Sequence, residues 1–255
     1  MPNTTIAAQL YTLREFIKTP GDVAKTLKKV REIGYEAVQV SGMGPIAPAE
    51  LKKIADENGL AIIATHTPWQ RLKEDLDGVI AEHKLWNCKY VGLGAMPAEC
   101  RTSKENYLQF AKDASVIAKK LEEAGLSFVY HNHAFEFIKF DGKTGLEYFY
   151  EESDRAVNGE IDTFWVQKGG SDPAAWIRKL KGRMEIVHFK DMVINDKGEQ
   201  IMAEVGEGNL NWPAILDACR EIGIQWHIVE QDVCQRDPFE SLAISLKNLK
   251  AMGLK

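Results

Sequence analysis

Four short segments of this chain share one pattern: EIGYEAV at 32–38, ENGLAII at 57–63, EAGLSFV at 123–129 and EIGIQWH at 221–227. In each segment, the end of a stretch whose apolar residues have helical spacing is followed by a glycine and then by a short apolar run. A glycine in this place is typical of a helix end, and the β-branched and aromatic residues after it favour a strand. The recurrence predicts one continuous series of helices and strands without a linker between domains.

The same alternation continues along the chain and gives eight strand–helix units. The predicted strands lie at 5–10, 37–40, 61–65, 90–93, 157–161, 186–188 and 226–229, and the fifth opens at 127. The predicted helices lie at 21–33, 48–58, 69–87, 104–124, 145–151, 173–180, 212–222 and 238–252. Short apolar strands between helices are typical of parallel strands covered on both sides. Eight such units predict a (β/α)8 TIM barrel that forms a single domain over 1–255.

Composition and charge weigh against several classes of protein. The chain has 255 residues, 45% of them hydrophobic, and a formal charge of -5. It has no apolar run long enough for a membrane span, and nucleic-acid binding needs concentrated positive charge. The start, MPNTTIAAQL, lacks the features of a signal peptide, so a cytoplasmic location is expected unless a signal has been clipped. The four cysteines form no Cys-x-x-Cys pair, so we expect reduced thiols.

The stretch SFVYHNHAFEFIKF at 127–140 begins as an apolar strand and turns abruptly polar. His131 and His133 would share one face of the strand, and Glu136 follows closely. Polar residues also follow other predicted strands: Gln9, His66, Asp162, His188 and Glu230. Because barrel sites are built at the carboxyl ends of the strands, these side chains are expected to meet at one mouth. The long unassigned stretch 192–210 is predicted to be a loop of the same site.

Carboxylates that converge at such a mouth repel one another, and burying them costs several kcal/mol each without compensation. A divalent metal ion is the simplest compensation. A Glu, an Asp, a His and a Glu on strands five to eight would supply three oxygen ligands and one imidazole. This combination suits Mn²⁺, Mg²⁺ or Co²⁺ better than Zn²⁺. Strand parity further predicts that Lys190 points inward beside His188, whereas His227 points out toward the helices. His83, in the middle of a helix, is expected at the surface.

The chain resembles the sugar phosphate isomerase/epimerase superfamily, the xylose-isomerase-like barrels. The motifs that carry the resemblance are YHNHAFEF (130–137), EIDTFWVQKGGSDP (160–173), VHFKDM (187–192), VGEGNLNW (205–212) and VEQD (229–232). The YHNH motif is similar to that of inosose-dehydratase-like members. The resemblance implies one divalent ion held by a Glu, Asp, His, Glu set, which matches Asp162, His188 and Glu230. For the first ligand we expect Glu136, with His131 or His133 as alternatives.

The resemblance implies an enzyme that abstracts a proton next to the carbonyl of a sugar. Two bases on two faces, Glu230 and either Glu136 or His131, would give isomerisation or epimerisation. One base and an acid such as Lys190 would instead give a lyase that eliminates water. The expected substrate-binding residues are His66, His133, Gln9, Trp165 and Glu207. The expected partner is a small sugar, not a nucleic acid or a membrane, and a homo-oligomer stays open. An endonuclease of this fold and a silent sugar-binding barrel are the weaker alternatives.

Overall fold

The computed structural model describes residues 5–255 and confirms the (β/α)8 barrel. Eight parallel strands pair with their neighbours in chain order, and the last closes on the first through Ile6 and His227. The strands are β1 (Ile6–Gln9), β2 (Ala37–Val40), β3 (Ala61–His66), β4 (Tyr90–Leu93), β5 (Ser127–His131), β6 (Val157–Asp162), β7 (Met184–Phe189) and β8 (Trp226–Val229).

Helices surround the barrel, and most of them begin and end near the predicted bounds, but the helix Thr163–Lys168 was not predicted. They are α1 (Pro20–Ile33), α2 (Pro48–Glu57), α3 (Trp69–Glu74), α4 (Leu76–Trp86), α5 (Lys104–Glu123), α6 (Gly145–Glu152), α7 (Thr163–Lys168), α8 (Pro173–Lys179), α9 (Trp212–Ile222) and α10 (Pro238–Ala251). Short 3-10 helices cover Leu10–Phe16, Ala98–Arg101 and Phe135–Phe137. Within residues 5–255, none of the helices has the length and apolar character needed to cross a membrane.

The glycines of the repeated segments explain why the pattern predicts the fold. Gly34, Gly59, Gly125 and Gly223 all have positive φ, which lets the chain leave each helix and turn into the next strand. The predicted helix 69–87 instead divides into α3 and α4 at Asp75, where φ is -138° and ψ is 46°. Aspartate favours such breaks because its side chain competes for backbone hydrogen bonds.

The inside of the barrel changes from apolar to polar along its axis. An apolar plug fills the end near the strand starts and consists of Ala7, Ala37, Ile63, Ala64, Tyr90, Val129, Ile186 and Ile228. A polar layer lies toward the carboxyl ends of the strands and consists of Gln9, Gln39, Glu160 and His188, all of them fully buried. The larger apolar core lies between the strands and the helices. The barrel is therefore closed at one end, and its polar groups face the other.

Two histidines lie away from the mouth of the barrel, and the structure shows the surroundings of each. His227 lies on the outer side, as predicted: its ring packs against Phe189 at 5.2 Å, and Nδ1 lies 3.2 Å from the Thr5 carbonyl oxygen. The prediction for His83 is wrong, because that side chain is buried and makes two hydrogen bonds. Its Nδ1 lies 2.7 Å from the Val79 carbonyl oxygen, and its Nε2 lies 2.9 Å from Thr65 Oγ1. A helix packed against the barrel buries one face, and His83 lies on that face.

The segment after β7 differs from the predicted loop. It begins with an antiparallel hairpin, Asp191–Ile194 paired with Gln200–Ala203. The rest of the segment is organised by the Asp191 carboxylate, which is fully buried. It accepts hydrogen bonds from the backbone amides of Met192, Gly206, Gly208 and Leu210 at 2.8–3.2 Å and from Trp212 Nε1 at 2.5 Å. Asp191 thus holds the segment 192–212 against the end of β7.

We expect Asp191→Asn to lower the free energy of unfolding by about 2–4 kcal/mol, because an amide nitrogen would face backbone donors that the carboxylate now satisfies. Urea unfolding followed by circular dichroism measures the change. Asp196→Asn is the matched control, since Asp196 carries the same charge on the exposed turn of the same hairpin. Equal stabilities of the two variants would contradict the role given to Asp191.

Candidate active site

Four buried side chains converge at the carboxyl ends of β5 to β8. They are His131, Asp162, His188 and Glu230, and one ligand atom from each lies within 4.8 Å of the others. Closure of the barrel produces the convergence, because the ends of the parallel strands meet at one face. The register of β6 and β7 sets Asp162 directly beside His188. The structure therefore brings together Asp162, His188 and Glu230, and His131 completes the group.

The distances identify which imidazole nitrogens face the carboxylates. Asp162 Oδ2 lies 3.1 Å from His131 Nε2 and 3.9 Å from His188 Nδ1, and Glu230 Oε2 lies 3.0 Å from His188 Nδ1. His131 Nδ1 lies 3.0 Å from the Gly94 carbonyl oxygen. A carbonyl only accepts, so His131 Nδ1 donates a proton to it, and Nε2 is the nitrogen that faces Asp162 and the other ligand atoms. The group offers two nitrogen and two oxygen donors, a combination that suits divalent transition metals.

Lys190 lies within this group, pointing inward as parity predicted. Its Nζ lies 2.7 Å from Glu230 Oε2, 2.8 Å from Asp232 Oδ2 and 3.1 Å from Asp162 Oδ2, and the side chain is buried. Burial alone would lower the pKa of Lys190, but the three carboxylates raise it above its ordinary value. Burial would likewise raise the pKa of Glu230, yet Lys190 and His188 hold it well below its usual range. Both groups are therefore charged at neutral pH.

Charge balance supports a cation at the same place. Three carboxylates and one ammonium leave a formal charge of -2 when both imidazoles are neutral, as metal ligands must be. Without a metal ion, burial alone would lower the pKa of His188, but the carboxylates of Glu160 and Glu230 raise it to about 10, so a proton on His188 offsets part of this excess. A buried negative excess of this size is unfavourable unless a cation or bound protons offset it. A divalent ion matches the excess and the donor atoms together, so the residues present fit a divalent metal.

The structure corrects the expectation that Glu136 belongs to this group. Its carboxylate is fully buried and accepts hydrogen bonds from Tyr130 Oη at 2.6 Å and from the His133 backbone amide at 2.9 Å. Tyr130 alternates with His131 on β5, so its ring faces the helices and packs against Phe149 at 4.5 Å. The 3-10 helix Phe135–Phe137 carries Glu136 back to that outer side.

The expected substrate-binding residues divide into two sets. His133 and Trp165 pack together at the mouth, with ring centroids 5.1 Å apart, and Lys190 Nζ lies 5.6 Å from the Trp165 ring centre. The His66 ring centroid lies 5.1 Å from that of His131 and 5.3 Å from that of His188. These three side chains border the group of four. Two of them carry a buried nitrogen without a hydrogen-bond partner, His133 Nδ1 and Trp165 Nε1.

The other two expected residues lie elsewhere. Gln9 belongs to the buried polar layer, where its amide donates to Gln39 Oε1 at 2.8 Å. Glu207 points toward α10 and accepts a hydrogen bond from Asn248 Nδ2 at 2.8 Å. The expectation for Gln9 rested on its position at the end of a strand, and that for Glu207 on the motif VGEGNLNW. Neither signal fixes which neighbours the side chain contacts.

Sequence reasoning assigned no role to three residues that contact the group. Asp232 lies two residues after Glu230 and shares its face, so parity could have indicated it. Glu160 lies two residues before Asp162 and shares its face, and its carboxylate lies 2.7 Å from His66 Nε2 and 3.2 Å from His188 Nε2. Gln39 interrupts the apolar strand β2, and a lone polar residue in a buried strand is the signal that could have found it.

Comparisons with known proteins agree with this architecture. Residues 27–252 match the family model described as xylose isomerase-like TIM barrel. The chain is 22% identical over 270 residues to the rhizopine catabolism protein MocC of Rhizobium meliloti, covering 89% of this chain and 80% of that protein. It is 26% identical over 152 residues to an inosose dehydratase of Lacticaseibacillus casei, covering 53% of this chain and 51% of that protein.

Among solved structures, a sugar phosphate isomerase/epimerase from Parabacteroides distasonis has a TM-score of 0.81. Its sequence is 23% identical, and the match covers 100% of this chain and 96% of that one. At this identity the likeness shows the fold alone.

The placement of Glu136 predicts a specific dependence of stability on pH. Burial raises the pKa of Glu136 from its ordinary 4.5 to about 8, so the folded protein favours the protonated acid. This contribution to stability is fully present below the ordinary pKa and is lost as the pH rises through about 8. Glu136→Gln cannot ionise. We therefore expect the free energy of unfolding of the unmodified protein to fall relative to that of Glu136→Gln between about pH 5 and pH 9.

Urea unfolding at several pH values measures this difference. Glu99→Gln is the control, because it makes the same exchange at an exposed position and measures the background change with pH. A difference for Glu136→Gln that changes with pH no more than this background would show that Glu136 is ionised in the folded protein.

Proposed function

We propose that this chain, which belongs to the xylose isomerase-like TIM barrel family, is a metal-dependent isomerase or epimerase of a small sugar or sugar phosphate. One observation carries the proposal: two imidazoles and two carboxylates are buried together with their ligand atoms within 4.8 Å of one another. Such a group is costly to bury without a cation. It lies at the barrel face where enzymes of this fold carry out their chemistry.

We infer that one divalent ion is held by His131, Asp162, His188 and Glu230. This set has one imidazole more and one carboxylate fewer than the sequence indicated. Replacing a carboxylate ligand by an imidazole favours Mn²⁺, Co²⁺ or Zn²⁺ and makes Mg²⁺, which prefers oxygen ligands, less suitable. When bound, such an ion would supply Lewis-acid stabilisation of negative charge on a substrate oxygen.

The chain's own residues would then move the proton. Glu230 is the candidate base, since Lys190 and His188 keep its carboxylate ionised at the mouth. Lys190 would hold that carboxylate in place and offer a positive charge to oxygen atoms of the substrate. His133 and Trp165 would form one wall against the apolar face of a sugar ring.

A dehydratase acting on a keto-sugar or keto-inositol is the second candidate. Epimerisation through two bases needs a second base on the opposite face of the substrate. Glu136 was expected in that role, but its burial and its two hydrogen bonds keep it from contacting a substrate. His131 or His133 would have to serve instead. Elimination needs only one base and one acid. Lys190 next to Glu230 would be that acid, although the effect of its burial is outweighed by the carboxylates around it, which raise its pKa and so disfavour release of its proton.

The ligand assignment predicts opposite effects for two neighbouring variants. His131→Asn should weaken binding of Mn²⁺ or Co²⁺ by roughly tenfold or more, because it removes a ligand. Glu136→Gln should leave the affinity close to that of the unmodified protein, because its carboxylate bonds to Tyr130 and His133 instead. Calorimetric titration of the metal-free proteins measures both. The reverse order of affinities would restore Glu136 as the ligand.

The mechanism predicts the behaviour of Glu230→Gln. An amide still offers an oxygen to a metal ion but accepts no proton, so turnover should fall by about 10²–10⁴-fold with saturating metal. Exchange of the carbon-bound hydrogen of the substrate with deuterium from solvent should stop as well. Near-normal exchange in this variant would remove Glu230 as the base.

Glu204→Gln is the matched control, because Glu204 is also buried but bonds to Ser241 and Arg236 outside the group. A panel of keto-sugars and inososes, with analysis of products, separates the two candidate functions. An isomerase exchanges hydrogen and conserves the mass of its substrate, whereas a dehydratase releases water.

A further inference from the structure

A row of hydrogen-bonded amides crosses the barrel beneath the candidate metal ligands. Gln9 Nε2 donates to Gln39 Oε1 at 2.8 Å, and Gln39 Nε2 donates to Glu160 Oε1 at 2.8 Å. His188 Nε2 lies 2.6 Å from the same Gln39 Oε1. All four side chains are fully buried, so these bonds do not compete with solvent. Neither the ligand assignment nor the proton transfer proposed above gives Gln39 a role.

Groups of fixed polarity anchor this row at both ends. At one end the backbone amide of Tyr11 donates to Gln9 Oε1 at 3.1 Å, which turns the Gln9 nitrogen toward Gln39. At the other end the Glu160 carboxylate accepts from the Gln39 nitrogen. Turning the Gln39 amide over would set its nitrogen against that of Gln9 and its oxygen against the carboxylate. Gln39 is therefore held with its oxygen toward His188.

We propose that Gln39 is a positioning residue that fixes the tautomer of His188 for metal binding. An amide oxygen only accepts, so His188 Nε2 must carry the proton that it shares with Gln39. Nδ1 is then the ring nitrogen left to bind a metal ion, and it faces Glu230 Oε2 at 3.0 Å. Groups that bond the outer nitrogen of a ligating histidine orient the ring and raise its affinity for metal. The inference rests on the proposed metal site and extends it to residues on β1, β2 and β6.

The same layer has an alternative reading as a second metal site. His66, Glu160 and His188 also offer ligand atoms close together. However, Glu160 already bonds to His66 Nε2 at 2.7 Å and to the Gln39 amide, and Gln39 occupies the position next to His188 Nε2. A metal there would have to break these bonds. The arrangement points to one metal ion per chain, with the polar layer as its support.

The decisive measurement is the protonation of the His188 ring in the protein loaded with Zn²⁺. Long-range proton–nitrogen NMR distinguishes a protonated ring nitrogen from a metal-bound one, and loss of the signals in His188→Asn assigns the ring. We expect a proton on Nε2 and zinc on Nδ1. A proton on Nδ1, or two zinc ions bound per chain, would overturn the inference.

Variants test whether Gln39 sets this state. Gln39→Met keeps the length of the side chain and removes its hydrogen bonds, and it should weaken Zn²⁺ binding by about 10–100-fold. Asn158→Leu is the matched control. It removes an amide that bonds to Ser127 and Ala156 at the start of β6, roughly 13 Å from Asp162 along the strand. The control should bind Zn²⁺ as the unmodified protein does.

A second variant guards against misfolding of Gln39→Met. Glu160→Gln keeps the shape of the layer but replaces a pure acceptor by an amide, so Gln39 is free to turn over. Zn²⁺ affinity should fall, and the ring nitrogens of His188 should give two sets of signals. If the unmodified protein binds no Zn²⁺ or Mn²⁺, the proposed function fails and the inference fails with it. If that protein binds and both variants bind equally well, only the role of Gln39 fails.

Discussion

The structure depends on the cost of burying carboxylates at the mouth of a narrow barrel. Asp162 and Glu230 project into a space shielded from water, where an unpaired charge is strongly unfavourable. Nitrogen atoms therefore surround both carboxylates: those of Lys190, His131 and His188 approach them at 2.7–3.1 Å. The need to compensate these charges also constrains the neighbouring residues: His131 at the end of β5, and the amides of Gln9 and Gln39 beneath the site.

The layers of the barrel follow from that constraint. The apolar plug closes the end near the strand starts and keeps water from entering from below. The polar layer separates the plug from the mouth, and each of its groups bonds to another. A half-satisfied layer would cost more than an apolar one, so Gln9, Gln39 and Glu160 stabilise the barrel only as a complete set. The outer face of each strand has no such requirement and packs against helices.

The fold could be predicted because its signals are local and repeated. A glycine with positive φ ends a helix wherever it occurs, and a short apolar strand has a buried environment on both sides. Strand parity also fixed the direction of Lys190 and His227, since alternation holds as long as the strand continues. The hairpin after β7 gave a weaker signal. Its two strands are short and partly exposed. The loop after the hairpin is organised by Asp191, which lies at the start of the hairpin and therefore far from the loop in the sequence.

The site could be predicted only for residues in the strands or directly after them, as Glu230 is after β8. Asp162 and His188 lie inside β6 and β7, so their directions followed from parity. Glu136 lies beyond the end of β5, in a turn whose path depends on tertiary contacts. A buried tyrosine hydroxyl on the outer face needs a partner, and Tyr130 finds it in Glu136. No pattern in the sequence indicates that Glu136 bonds to Tyr130 instead of pointing into the mouth of the barrel.

The exchange of a carboxylate for His131 has a further electrostatic consequence. A third ligating carboxylate beside Asp162 and Glu230 would add negative charge to a group that already contains Asp232. An imidazole adds no negative charge, and the second nitrogen of His131 bonds to the Gly94 carbonyl. The ammonium of Lys190 can then balance one carboxylate while the others remain for a divalent ion. His131 and Lys190 thus adjust the charge of the same site from opposite directions: one removes a negative charge, and the other adds a positive one.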